Sequence, residues 1–198
     1  GTQIFRSKSP EGPFEAFDER EPATPMDEMA LDGTLWVEDG KPYMVYCHEW
    51  VQVMDGEMKV VELTRDLSAR EGTPLRLFNA SAAEWATGSP AADGARSYVT
   101  DGCFLYRTSG GKLLMIWSSF GKDGYAVGVS ESVTGKVTGP WRHHPKPLFS
   151  RNGGHGMLFR DFEGGLNIVM HAPNSPGGAE RAVILPLEER NDMLYVKE

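Results

Sequence analysis

Apolar residues along this chain of 198 residues occur in short runs of Val, Leu, Met and Tyr, separated at close intervals by glycine or proline. Short runs with alternating or continuous apolar character are typical of β-strands, and the three-to-four-residue spacing of an amphipathic helix is nearly absent. The pattern therefore predicts an all-β protein without long helices. By length, we expect one domain with one substantial core.

A short motif recurs three times along the chain, each time as an acidic or imidazole side chain followed by glycine. The three copies begin at Asp32, Asp101 and His155, at separations of 69 and 54 residues. Each copy opens an apolar run that ends in a glycine-containing turn. The turns are Asp39-Gly40, Gly110-Gly111 and Gly164-Gly165, all sequences that suit the positive φ of hairpin turns.

Three further strands are predicted after the first strand of each copy. The second strands are Tyr43–Trp50, Leu113–Ser119 and Leu166–His171; the third are Lys59–Thr64, Tyr125–Ser130 and Arg181–Leu187; the fourth are Leu75–Phe78, Pro147–Phe149 and Met193–Val196. The segments 52–57 and 80–97 are predicted to be loops. Four antiparallel strands per repeat are typical of a β-propeller blade. We therefore predict blades near residues 30–97, 98–150 and 151–198, with residues 1–14 as the end of a preceding blade.

The propeller prediction brings the three motif residues together. Because the first strand of every blade lines the central axis, Asp32, Asp101 and His155 are expected to face one cavity. The alternative is that an Asp before Gly only starts a hairpin by hydrogen bonding to its own backbone. Two Asp and one His at the same repeat position favour a shared site.

Charge and composition narrow the class of ligand. The net charge of −8 disfavours nucleic acid and anionic membranes as partners, and no run of 18 or more apolar residues occurs. The two cysteines, Cys47 and Cys103, lie in apolar strand patterns without zinc-type spacing, so we expect buried free thiols. A neutral or cationic ligand fits this composition better.

Several polar and aromatic side chains near the predicted cavity are candidate ligands for a sugar. Trp50 and Trp117 are either stacking platforms or blade core. His48 and Glu49, at the end of a second strand, either face the cavity as sugar ligands or lie at a solvated strand end.

The motifs resemble those of glycoside hydrolase family 43. Ser9-Pro10-Glu11-Gly12-Pro13-Phe14 and Thr138-Gly139-Pro140-Trp141 are similar to its blade-closing segments, and Leu31-Asp32-Gly33 is similar to its segment with the second invariant carboxylate. Val99-Thr100-Asp101-Gly102 resembles its acid segment, and Gly154-His155-Gly156 its late Gly-His blade. The resemblance covers nearly the whole chain.

The resemblance implies a five-bladed propeller that hydrolyses arabinose- or xylose-containing plant glycans with inversion. It implies that Asp32 tunes the proton donor and orients the sugar, that Asp101 is the general acid and that Arg181 contacts the substrate or the carboxylates. His155 is implied to hold a central water or a calcium ion, and no cofactor is required. It also implies a secreted or periplasmic location.

Two features depart from the family pattern. The family has Glu where this chain has Asp101, and Pro where it has Cys103. The family also carries its general base upstream of a segment such as Ile4–Phe14, and it closes five blades where about three and a terminal strand are expected here. The alternatives are a fragment, a short gene product, a half completed by a second copy or partner, and a glycan-binding propeller without catalysis.

Overall fold

The computed structural model describes residues 1–17, 21–90 and 94–197, and these residues form an all-β structure, as predicted. The strands are β1 (Phe5–Arg6), β2 (Glu15–Ala16), β3 (Ala30–Glu38), β4 (Lys41–His48), β5 (Glu57–Leu63), β6 (Arg70–Asn79), β7 (Ser89–Pro90), β8 (Arg96–Ser97), β9 (Asp101–Arg107), β10 (Leu113–Gly121), β11 (Gly124–Ser132), β12 (Trp141–His143), β13 (Gly154–Arg160), β14 (Leu166–Ala172), β15 (Arg181–Arg190) and β16 (Met193–Val196). The described residues also include one α-helical turn, α1 (Trp50–Val53), and a 3-10 turn, Ala80–Ala82. None of the described helices has the length and apolar character needed to cross a membrane.

Three four-stranded antiparallel sheets make up most of the structure. Their strand orders are β3-β4-β5-β6, β9-β10-β11-β12 and β13-β14-β15-β16, so each sheet is a simple meander. The two short pairs β1-β2 and β7-β8 form separate two-stranded ribbons. The inner strand β9 packs between the inner strands β3 and β13. The sheets are therefore arranged as consecutive propeller blades around an axis lined by β3, β9 and β13.

Alternation along the second blade builds the core on both of its faces. On β10, Met115 and Trp117 pack towards the first blade, in a cluster with Val45 and Met58. The intervening residues, represented by Ile116, pack towards the third blade in a second cluster. A strand buried on both faces reads as a continuous apolar run, which is how Leu113–Trp117 appears in the sequence.

Tight turns connect the first and second strands of the blades. Asp39 and Gly40 have φ of 51° and 75°, and Gly111 and Gly164 have φ of 91° and 86°. These backbone angles favour glycine or a short polar residue. The turns predicted from the sequence are confirmed at all three places.

Each inner strand begins with a β-bulge. In the first blade Leu31 pairs with Cys47 and Thr34 with Val45, so two residues stand opposite one. The same irregularity occurs at the start of β9 and of β13. The residues in the left-handed conformation at these bulges are Asp32 (φ 57°), Gly102 (φ 53°) and His155 (φ 53°).

The positions of the bulges show which residues of the three blades are structurally equivalent. Asp32, Gly102 and His155 are structurally equivalent, whereas Asp101 occupies the preceding position, the one taken by Leu31 and Gly154 in the other blades. The expectation that Asp101 shares the repeat position of Asp32 and His155 is therefore wrong by one residue. The sequence motif was misleading because an Asp-Gly pair occurs one step earlier in the second blade.

The predicted fourth strand of the second blade is also wrong. It was placed at Pro147–Phe149, but β12 is Trp141–His143, which pairs with Ser130–Ser132 of β11. Leu148 and Phe149 contact Val127 farther along the same edge, with a single isolated bridge. Pro145 and Pro147 lack backbone N–H groups and so interrupt the edge pairing between these two segments.

The predicted loops are partly structured. The segment 52–57 contains the end of α1 and the first residue of β5, and the segment 80–97 contains the 3-10 turn and the ribbon β7-β8. Residues 91–93 of that second loop lie outside the described residues. Asp55 and Tyr98 bridge the two insertions.

We predict that Gly102→Ala destabilises the protein strongly. An added Cβ would lie 2.9 Å from the Cα atom of His155, and the φ of +53° is unfavourable for alanine. The expected loss is about 2–5 kcal/mol of unfolding free energy, from the left-handed conformation and from overpacking. Denaturant unfolding measures it.

Gly40→Ala is the matched control for that substitution. Gly40 also has positive φ (+75°), but a Cβ there meets no atom within 4 Å. Only the conformational cost of about 1–2 kcal/mol is expected. Equal losses in the two variants would contradict close packing of the second and third inner strands at the axis.

Candidate active site

The bulged starts of the three inner strands meet at the axis. The Asp32 Oδ2 atom accepts a hydrogen bond from the backbone N–H of Gly102 at 3.1 Å, which joins the first blade to the second. The Nε2 atom of His155 lies 3.7 Å from the Asp32 Oδ1 atom, which joins the third blade to the first. The structure thus brings Asp32 and His155 together, with Gly102 between them.

Asp101 lies beside this pair at the start of β9. Its Oδ2 atom accepts a hydrogen bond of 2.6 Å from the Tyr125 hydroxyl. Burial raises the pKa of Asp101 above its ordinary value, and the negative charge of Asp32 adds to that rise. The Tyr125 hydrogen bond and the nearby His155 and His171 act in the opposite direction, but burial dominates.

Three residues that support the site were missed as candidates. Tyr125 is buried and stacks on His171 with ring centroids 5.5 Å apart, and the Ser118 hydroxyl accepts the backbone N–H of His155 at 2.8 Å. Burial, followed by the Asp101 charge, raises the pKa of Tyr125, so its hydroxyl stays a hydrogen-bond donor. The sequence feature that could have identified Ser118 and Tyr125 is their position. Both flank the Gly121–Gly124 hairpin, at the same end of the blade as Asp101.

Glu49 lies immediately after β4, close to Asp101 and Asp32. Its pKa is raised because burial disfavours the carboxylate and because Asp101 and Asp32 are close enough to repel it. Three carboxyl groups from two blades are therefore electrostatically coupled at the axis.

Two of the predicted sugar ligands are not at the axis. His48 is buried within the first blade, where its Nδ1 atom lies 3.0 Å from a Glu57 carboxylate oxygen and its Nε2 atom 2.9 Å from the Gln52 amide oxygen. Trp117 is fully buried between Phe78 and Trp85. Neither side chain has a free face for a sugar.

Trp50 and Arg181 lie closer to solvent. Trp50 is half-buried as the first residue of α1, directly after Glu49. Arg181 is exposed and lines a groove of about 350 Å³ together with His155 and His171. A larger groove of about 790 Å³ lies at the outer edge of the second and third blades and includes no axial side chain, so the smaller one is the candidate ligand path.

The predicted calcium ion has few ligands available at His155. Within residues 1–17, 21–90 and 94–197, no group of three or more His, Cys, Asp and Glu side chains is placed to hold a metal. Calcium takes six to eight oxygen ligands, whereas His155 offers a nitrogen, with the Asp32 carboxylate 3.7 Å away. These side chains alone do not fit a tightly held calcium ion, so the calcium stays a prediction.

Both cysteines are buried and free, as expected. The Cys103 thiol donates to the carbonyl oxygens of Asp32 and Val45 at 3.2 and 3.3 Å, so it satisfies backbone acceptors next to the first bulge. Burial, followed by the hydrogen bond that Cys47 donates to Cys103, raises the pKa of the Cys47 thiol. We assign both thiols a packing role beneath the carboxyl groups.

Solved structures similar to this chain are carbohydrate-active propellers. An endo-arabinase from Bacteroides thetaiotaomicron VPI-5482 matches with a TM-score of 0.88 and 42% identity over 96% of this chain and 66% of that one. A thermostable family-43 glycoside hydrolase matches with a TM-score of 0.81 and 23% identity over 99% and 66%. An endo-1,4-beta-xylanase from the same Bacteroides strain matches with a TM-score of 0.77 and 22% identity over 97% and 65%. A search of curated protein sequences found no match.

The profile of the glycosyl hydrolases family 43 matches residues 1–192. The chain thus has a glycosidase-type propeller fold with carboxyl groups on its axis. It belongs to glycosyl hydrolase family 43, which confirms the resemblance seen in the sequence. It spans slightly less than two thirds of the length of the similar solved chains.

We predict that Asp101→Asn stabilises the protein at neutral pH. The folded state raises the Asp101 pKa, so it retains the proton at pH values where the unfolded chain has lost it. Stability is therefore lost as pH rises from the unfolded pKa through the folded pKa. Asparagine does not ionise and still accepts from Tyr125. Thermal unfolding from pH 3 to pH 8 should show its advantage growing across that interval.

Asp66→Asn is the opposite-sign control. Hydrogen bonds from Thr64 and Ser68 lower the pKa of the exposed Asp66 carboxyl, so its charge stabilises the folded state above the unfolded pKa. The variant is expected to lose stability relative to the parent as pH rises. An advantage of Asp101→Asn that does not change with pH would contradict the buried-charge explanation.

Proposed function

We propose that this chain is the catalytic propeller, or part of it, of a glycoside hydrolase that cleaves arabinose- or xylose-containing polysaccharides. The observation that carries the proposal is the meeting of Asp32, Asp101 and His155 at the axis of a family 43 propeller. A polyhydroxylated neutral ligand also fits the net charge of −8.

The chemistry of glycoside cleavage matches these groups. An acid delivers a proton to the leaving oxygen while the bond from that oxygen to the anomeric carbon breaks, and a water attacks the opposite face as a base removes its proton. A carboxyl group that stays protonated near neutral pH is needed, and burial together with neighbouring carboxylates raises the pKa values of Glu49 and Asp101 in that direction.

Asp32 fits the role of the modulating carboxylate. Its side chain is fixed by the Gly102 N–H and faces His155, and its charge raises the pKa of both Asp101 and Glu49. The family pattern places the base upstream of a segment such as Ile4–Phe14, and we assign that role to none of the residues described here. The inverting outcome rests on this family pattern.

The substrate class rests on sequence similarity. The 42% identity to an endo-arabinase favours arabinan, and the similar endo-1,4-beta-xylanase makes xylan the comparison substrate. Arg181, on the groove beside His155, is proposed to contact sugar hydroxyls. Polymeric plant glycans are met outside the cell, which supports a secreted or periplasmic location.

The test is hydrolysis of aryl arabinofuranosides, aryl xylosides and debranched arabinan, with and without azide. Azide attacks the anomeric carbon without needing a base. It therefore takes the place of both the attacking water and the general base. We expect arabinofuranoside turnover that azide increases at least about tenfold. Asp32→Asn is expected to lower it by about 10²–10⁴-fold.

Asp161→Asn is the control, since Asp161 is half-buried in the turn between β13 and β14, where its side chain accepts hydrogen bonds from Gly165 and Asn167. It should leave turnover unchanged. Glycan binding without turnover under either condition would point to a binding propeller. The absence of both glycan binding and turnover would refute the proposed substrate class.

A further inference from the structure

We propose that Glu49, and not Asp101, is the proton donor of this site. This inference rests on the proposed function and names the acid within it. The family resemblance assigned that role to Asp101, but the contacts of the two side chains favour Glu49.

The backbone places Glu49 on the side of the first blade that faces Asp101. Glu49 has extended φ and ψ of −63° and 131°, and its N–H donates to the carbonyl of Met29, so the β3-β4 pairing continues through it. Side chains alternate along a strand, so Glu49 shares a face with Cys47. That face packs on Cys103 of the second blade.

Glu49 and Asp101 also lie at the same height along the propeller axis. The strands β3 and β9 both start at the same end of the propeller axis, and β4 runs back towards that end. Going from Cys47 to Glu49 is therefore a step in the same direction as going from Cys103 to Asp101. Glu49 thus reaches the height of the Asp101 carboxyl from the neighbouring blade.

The surroundings of Glu49 suit an uncharged carboxyl group. Its Oε1 atom is buried and has no hydrogen-bond partner. An ionised carboxylate with an unpaired buried oxygen would be costly, whereas a protonated acid tolerates that environment. The charged groups that face it, Asp101 and Asp32, are both acidic and both favour the protonated form.

Burial raises the pKa of Asp101 as well, but its contacts favour the charged form more than those of Glu49 do. The Tyr125 hydroxyl donates to its Oδ2 atom at 2.6 Å, and the imidazoles of His155 and His171 are close enough to favour its charge. An aspartate is also one methylene shorter than the glutamate that the family carries in this position. Asp101 is thus suited to hold a negative charge that keeps the proton on Glu49.

In the proposed step, the Glu49 carboxyl transfers its proton to the leaving oxygen as the bond from that oxygen to the anomeric carbon breaks. The leaving group departs as a neutral alcohol, and Glu49 becomes a carboxylate. After product release, solvent returns the proton, because the residue is only half-buried.

The experiment compares Glu49→Gln and Asp101→Asn on two arabinofuranosides, with azide present throughout. One substrate has a 2,4-dinitrophenyl leaving group, which departs without protonation, and the other has an unsubstituted phenyl group, which needs an acid. Glu49→Gln should lower kcat/KM for the phenyl substrate by about 10²–10⁴-fold and for the dinitrophenyl substrate by less than about tenfold. Asp101→Asn should lower kcat/KM for the phenyl substrate less than Glu49→Gln does, and that loss should shrink as pH falls, because the lost Asp101 charge acts through the Glu49 proton.

Glu62→Gln is the matched control, since Glu62 lies on β5 and pairs with Lys41 away from the axis. It should leave both substrates unaffected. A selective loss of the phenyl substrate in Asp101→Asn that does not shrink as pH falls, or equal losses on both substrates in Glu49→Gln, would overturn the assignment. Absence of turnover by the unmutated chain would instead refute the glycosidase function, and the acid role with it.

A second readout measures the Glu49 proton directly. In a chain labelled with ¹³C at the glutamate carboxyl groups, the NMR signal that disappears in Glu49→Gln should titrate above the usual glutamate pKa of about 4.3. A titration at or below that value would overturn the proposal, even where both substrates are turned over.

Discussion

The axis of this propeller depends on one backbone device, the left-handed bulge at the start of each inner strand. A strand that runs regularly would direct successive side chains alternately to its two neighbouring blades. Placing two residues opposite one changes that direction and exposes a side chain or an N–H group at the axis. Asp32 and His155 reach each other in this way, and the Gly102 N–H becomes available to the Asp32 carboxylate.

The same device explains why the three bulge positions carry different residues. Asp and His tolerate positive φ better than most side chains, which leaves them as functional groups in the first and third blades. In the second blade the residue must be glycine, because the backbone and ring of His155 occupy the place of its Cβ. The second blade therefore supplies its carboxyl group from the preceding position, Asp101.

Much of the fold could be predicted from the sequence, since the hairpin turns and apolar runs are local signals. The register of Asp101 could not, because the Asp-Gly pair of the second blade lies one residue earlier than that of the first, and only the strand pairing reveals this. The β12 error has a similar origin. Trp141–His143 is too short to stand out as a strand, and the more apolar segment 147–149 lies on the same edge of the sheet.

The sequence pointed to the site residues that each blade supplies at the start of its first strand. It did not point to the residues that reach the site through contacts between strands. Asp32 and His155 follow from the repeat, whereas Asp101 precedes the repeat position by one residue. The donation from Tyr125 to Asp101 depends on how a hairpin folds back, and a single strand does not reveal it. Trp117 was a plausible sugar platform by type, but a strand covered on both faces buries it completely.

Electrostatics at the axis then follow from geometry. Carboxyl groups of Asp32, Asp101 and Glu49 share a partly buried volume, so not all of them are favourably ionised together. The carboxyl group that accepts the strongest hydrogen bond is the easiest to ionise, and the carboxyl group with an unpartnered buried oxygen keeps its proton. By that reasoning Tyr125 and the two histidines hold the charge on Asp101, and the coupled proton resides on Glu49. A chain with aspartate in place of the family's glutamate can thus retain an acid at its axis by drawing it from the adjacent blade.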